Sequence, residues 1–140
     1  MRGRSLIILF GVFILMSFRF STAPSTKYEL VLEAKGCHYQ ISVNGELLDD
    51  GKTYQKIDKI IDLNKKISES GEQKIDIKML RISREMTLKS TNAFLNLRLE
   101  KRENDSVILI KEVKLPTFPY NEDEEQPQSI GSSIEFNVEN

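Results

Sequence analysis

From Tyr28 onward, apolar and polar residues alternate with a period of two over short stretches broken by turn formers. That pattern constrains the fold more than any other feature. Successive side chains of a strand point to opposite faces, so period two with one apolar face describes a half-buried strand. Tyr28, Leu30, Leu32 and Ala34 alternate with Glu29, Glu33 and Lys35, and Gly36 breaks the run. Cys37, Tyr39, Ile41 and Val43 then alternate with His38, Gln40 and Ser42. Asn44-Gly45 follows, flanked by apolar runs; both residues accept positive φ, as a two-residue hairpin turn requires. Glu46-Leu47-Leu48 resumes the strand, and Asp49-Asp50-Gly51 reads as the next turn.

Residues 53–70 admit two readings. Tyr54, Ile57, Ile61 and Ile67 fit one face of a helix ended by Gly71. Alternatively, a strand covers Lys56 to Leu63 and a single helical turn covers Asn64 to Ser70. The β-branched Ile57, Ile60 and Ile61 favour the strand. Further strands are expected over Lys74–Ile82, Ala93–Leu99, Val107–Val113 and Ser133–Val138, with Asn104-Asp105 as a turn. Pro116 and Pro119 end regular structure, and Tyr120–Gln128 reads as a polar, acidic loop. About eight short strands with at most one short helix imply an all-β antiparallel β-sandwich, jelly-roll-like, over residues 24–140.

The N-terminus carries a different signal. Arg2 and Arg4 precede an uncharged stretch from Leu6 to Met16, and Ser21, Thr22 and Ala23 follow. A basic start, a short apolar core and a small-residue exit make an export signal. A spanning helix needs about 20 apolar residues, and Arg19 interrupts this run first. Cleavage is expected after residue 23, with residue 25 as the second position because Pro24 is a poor residue to follow a cut. No Cys follows the apolar core closely enough for a lipid anchor. The mature chain is expected to be secreted or periplasmic, with no membrane span after processing. Losing residues 1–23 removes three arginines and no acid, which moves the net charge from −1 to −4.

One stretch resembles a known family. It starts with Ile41-Ser42-Val43-Asn44-Gly45-Glu46-Leu47-Leu48. Ile61-Asp62-Leu63-Asn64 and Ile67 come next, then Ser70-Gly71-Glu72-Gln73-Lys74-Ile75-Asp76-Ile77. Over residues 41–79 this resembles the jelly-roll β-sandwiches of the galactose-binding-like type, which often run from an Asn-Gly strand end through an Asp-led helical turn to a Gly-x-Asn/Gln element. The resemblance implies the sandwich fold. Sugar-binding members present Trp or Tyr platforms, whereas this chain has no Trp and scatters its tyrosines at 28, 39, 54 and 120. The resemblance therefore transfers no binding residue.

Composition narrows the chemistry. One Cys and one His exclude a disulfide framework within the chain and the multi-His and Cys-rich metal sites. Cys37 and His38 look like a nucleophile and its base, but neighbours in a strand face opposite ways. No Gly-x-Ser-x-Gly elbow accompanies His38. Asp49-Asp50-Gly51 and Asn121–Glu125 lack the spaced ladder of a calcium loop. Lys65, Lys66, Arg98, Lys101, Arg102, Lys111 and Lys114 are interspersed with acids and lack interleaved aromatics, which argues against nucleic acid. No catalytic residue, metal site or cofactor is assigned. The expectation is an exported, non-enzymatic binding module for a protein partner, with an immunity-type inhibitor of a toxin as a narrower form. A carbohydrate-binding or envelope accessory domain is the alternative. The acidic run Glu122, Asp123, Glu124 and Glu125 is the candidate partner-binding element, suited to steering a basic partner.

Overall fold

The computed structural model describes residues 26–68, 70–116 and 129–139. Eight strands run through them: β1 (Lys27–Lys35), β2 (Cys37–Val43), β3 (Glu46–Thr53), β4 (Ile57–Asp62), β5 (Gly71–Leu80), β6 (Phe94–Glu103), β7 (Ser106–Leu115) and β8 (Ser129–Val138). They form two antiparallel four-stranded sheets, sheet A in the order β4-β1-β6-β7 and sheet B in the order β3-β2-β5-β8. The molecule is the expected antiparallel β-sandwich.

The alternating residues meet between the sheets. Leu30, Leu32 and Ala34 of β1 and Leu95, Leu97 and Leu99 of β6 face Ile41 and Val43 of β2, Ile75, Ile77 and Met79 of β5, and Ile134 of β8, all essentially without solvent contact. The Tyr28 and Phe136 rings pack across the gap with centroids 5.6 Å apart. Asn96 and Arg98, the polar residues between the β6 leucines, are only partly buried.

A single residue, Gly36, carries the chain from sheet A to sheet B. Its φ is +65°, and an added Cβ would lie 2.5 Å from the carbonyl oxygen of Thr91. Thr91 Oγ1 in turn donates to the Gly36 carbonyl at 2.6 Å. Only glycine satisfies both the left-handed backbone and the contact.

A second tie joins three distant segments. Asn44 and Gly45 form the expected hairpin turn at φ 50° and 85°. The Asn44 side chain accepts from the Lys74 amide at 2.9 Å and donates to Gln73 Oε1 at 2.6 Å. Gln73 is buried; its Oε1 also accepts from the Ser68 amide and its Nε2 donates to the Gly71 carbonyl. Both polar ends of this buried amide are therefore satisfied.

The structure resolves the two readings of residues 53–70 as strand plus turn. Ile61 and Leu63 are buried while Tyr54 and Ile60 are 60% and 63% exposed, which is strand alternation. One helical turn follows, with the amides of Lys66 and Ile67 donating to the Leu63 carbonyl. Asp49-Asp50-Gly51 is not a turn, contrary to expectation. It lies inside β3, where an added Cβ on Gly51 would meet the Tyr39 hydroxyl at 2.6 Å, so this glycine makes room for a ring. β8 also begins earlier than expected, at Ser129.

Leu97→Ala is expected to lower unfolding stability by about 2–5 kcal/mol in urea titration, whereas Arg98→Ala should cost about 0.5 kcal/mol or less. Equal losses would overturn the register of β6. Gly36→Ala should cost more than the roughly 1–3 kcal/mol of a left-handed non-glycine residue, because the Thr91 contact adds to it; wild-type stability in the same titration would contradict that contact.

Candidate functional site

The two long sides of the sandwich differ. On one, β3 of sheet B and β4 of sheet A are joined by side chains. Lys59 Nζ donates to both oxygens of Asp49, at 3.0 and 2.9 Å, and the Tyr39 hydroxyl donates to Asp49 Oδ2 at 3.1 Å. Burial, followed by the Asp49 charge, pushes the Tyr39 phenol up to about 12, so it stays a proton donor.

The opposite side is bounded by β7 of sheet A and β8 of sheet B. Among the described residues, no strand pairs with the outer edge of either. β7 exposes four consecutive large apolar residues, Val107, Ile108, Leu109 and Ile110, at 38% to 53%. Val107, Ile108 and Leu109 pair with Arg102, Lys101 and Glu100, and a register shift follows at Ile110. On the neighbouring β6, the charged residues are paired within the chain: Arg102 reaches Glu29 at 3.3 Å, Arg98 reaches Glu100 at 3.2 Å, and Lys101 pairs with Glu103. Among the described residues, this run is the longest consecutive stretch of exposed large apolar side chains.

A shallow groove of about 600 Å³ crosses the outer face of sheet B and opens at the β8 edge. Gln40, Ser42, Asp76, Lys78, Gly131 and Ser133 line it. The strand register sets Lys78 beside Gly131 and Asp76 beside Ser133. The small residues of β8 form the depression, and the long side chains of β5 form its wall. Asp76 pairs with Lys74 at 3.3 Å, whereas Lys78 has no ion-pair partner among the described residues.

Other reactive groups have structural partners. Cys37 is fully buried, its Sγ 3.7 Å from the Phe94 carbonyl, and burial pushes its thiol up to about 11, which disfavours the nucleophilic thiolate. His38 lies on the opposite face, as strand geometry requires, and its Nε2 donates to Asp50 Oδ1. Gln40 Nε2 also donates to Asp50, at 3.3 Å. No serine hydroxyl hydrogen-bonds to His38 among the described residues, which also contain no group of three His, Cys, Asp or Glu placed to hold a metal ion.

The acidic run Glu122–Glu125 lies outside the described residues. The His38–Asp50 pair and the Val107–Ile110 run were not singled out from sequence. The second left a trace, because four successive apolar residues do not alternate. Comparison with known proteins finds no matching family, no similar curated protein and no similar solved structure.

The contact with His38, helped by Gln40, holds the Asp50 carboxyl below the usual carboxylate range. The folded chain thus binds this proton less tightly than the unfolded chain. The associated stability is complete above the unfolded pKa of about 4 and is lost as pH falls through the lower folded value. His38→Ala should move the Asp50 titration upward in a carboxyl NMR experiment. An unchanged titration would reject the contact.

Proposed function

We propose that this chain is an exported, non-enzymatic binding module that recognises another protein through the side bounded by β7 and β8. The observation that carries the reading is the exposed run Val107–Ile110 on an edge strand. An edge strand offers unpaired backbone groups, and proteins usually blunt such edges with charge, proline or cover. Four adjacent exposed apolar side chains do the reverse: they favour removal from water by a partner. Strand addition supplies main-chain hydrogen bonds, and the apolar side chains add burial. An inhibitor of an exported toxin is the narrower form of this reading.

Capture of proteins from the host's own envelope fraction, read by mass spectrometry, tests the proposal. Ile108→Lys and Leu109→Lys alter exposed positions and should leave the melting temperature within a few degrees of wild type. Both variants should lose the captured protein. Capture that is unchanged in both would overturn the reading. If the acidic run Glu122–Glu125 steers a basic partner, its amide variants should associate more slowly, and the difference should shrink as salt rises.

The groove on sheet B favours carbohydrate as a second reading, since Gln40, Asp76 and Lys78 offer polar groups to hydroxyls. It has no aromatic platform among its lining residues. A glycan array with the mature protein separates the two, and saturable binding lost on Asp76→Ala would establish the second.

A further inference from the structure

We propose that β8 pairs with β8 of a second copy of this chain about a two-fold axis at Ser133, joining two copies of sheet B into one continuous eight-stranded sheet. The inference rests on the reading of the β7/β8 side as a protein-recognition surface, and it names the occupant.

The four edge strands are not equivalent. The pairings of β3 and β7 each contain a register shift. β4 has six residues, three of them charged, and is tied to β3 through Lys59. β8 differs from all three: its ten residues run against β5 in unbroken register and include no Pro, Lys or Arg. Among the described residues, this edge thus lacks the proline, the basic side chains and the register break that oppose strand addition, and Glu135 is its one charge.

Charge selects the partner and the register. When a sheet continues through a two-fold axis perpendicular to it, opposed residues must point to the same face. An axis at Ser133 meets this condition and pairs every residue from Ser129 to Asn137. Gly131 then stands opposite Glu135 of the second copy, and Ile130 stands opposite its Phe136. Lys78 flanks Gly131 on the other side through the β5–β8 register. Lys78 and the second copy's Glu135 are then two strand spacings apart, roughly 10 Å between Cα atoms. Their side chains can meet across a glycine that puts nothing between them, in the groove already described. Within one chain Lys78 has no ion-pair partner among the described residues, and Glu135 has none either, since Lys74, which stands opposite it in the β5–β8 register, reaches Asp76 instead at 3.3 Å. The symmetry supplies this pair twice.

Neighbouring axis positions do not. An axis at Ser132 puts the second copy's Glu135 opposite Ser129, next to Leu80. An axis at Ile134 puts it opposite Ser133, next to Asp76, where like charges repel. Since β7 and β8 bound the same side, a copy seated on β8 also stands before Val107–Ile110.

Sedimentation velocity of the mature chain over a concentration series tests the proposal. The wild type should show a reversible monomer–dimer equilibrium. Lys78→Glu and Glu135→Lys should each weaken the dimer roughly tenfold, and the double variant should restore it. Gly131→Val should give a monomer with wild-type circular dichroism and melting, because a Cβ there meets nothing closer than the Ile77 carbonyl oxygen at 3.5 Å. A wild type that stays monomeric, or a dimer indifferent to all four variants, overturns the inference. If the wild type is monomeric while Ile108→Lys still abolishes capture from the envelope fraction, the second copy fails as occupant and the recognition reading stands. If the dimer responds as expected but capture is unchanged, recognition of a different protein fails and self-association stands.

Discussion

The placement of every strand depends on Gly36. One residue takes the chain out of sheet A and into sheet B, so β1 and β2 face each other across the core. A longer connection would let the two sheets slide relative to one another; a single left-handed residue held by Thr91 does not. The fixed crossover brings Leu30, Leu32 and Ala34 over the inner face of sheet B; β3 to β6 are each added beside one of these two strands, and β7 and β8 are added outside β6 and β5. The tie between Asn44, Gln73 and Ser68 then fixes the opposite end of β2 against β5 and the β4–β5 connection.

The same connectivity makes the two sides unequal. β3 and β4 are sequence neighbours in opposite sheets, and the Tyr39, Asp49 and Lys59 side chains join them. β7 and β8 are also sequence neighbours in opposite sheets, but their facing side carries an apolar run and a strand of small residues. In a sandwich the inner faces bury each other, and the edges remain the places where backbone groups stay unpaired. Among the described residues, the β3 and β4 edges are tied together by side chains, whereas the β7 and β8 edges carry no such tie.

Much of this was legible in the chain. The inward set of β1, β2, β5 and β6 follows from alternation, and the β2–β3 hairpin follows from Asn44-Gly45. The residues behind the resemblance to galactose-binding-like sandwiches have a packing explanation here, since Asn44, Gly71 and Gln73 form one hydrogen-bonded tie. The failures have physical reasons too. Asp49-Asp50-Gly51 reads as a turn because acids and glycine disfavour strands. In β3 the glycine clears a tyrosine ring, Asp49 meets Lys59 and Asp50 meets His38. Leu88 is fully buried in the connection between β5 and β6, where no period announces it.

By itself, then, the sequence determined which residues turn inward and where the chain reverses, because pleat and turn chemistry are properties of adjacent residues. Only the tertiary structure decided which strands are neighbours. β1 lies between β4 and β6, and β8 lies beside β5, pairings that join segments far apart in the chain. Being an edge, being open, and setting Lys78 beside Gly131 are consequences of those pairings. No local pattern encodes them, since a strand of given sequence alternates in the same way in the middle of a sheet and at its rim.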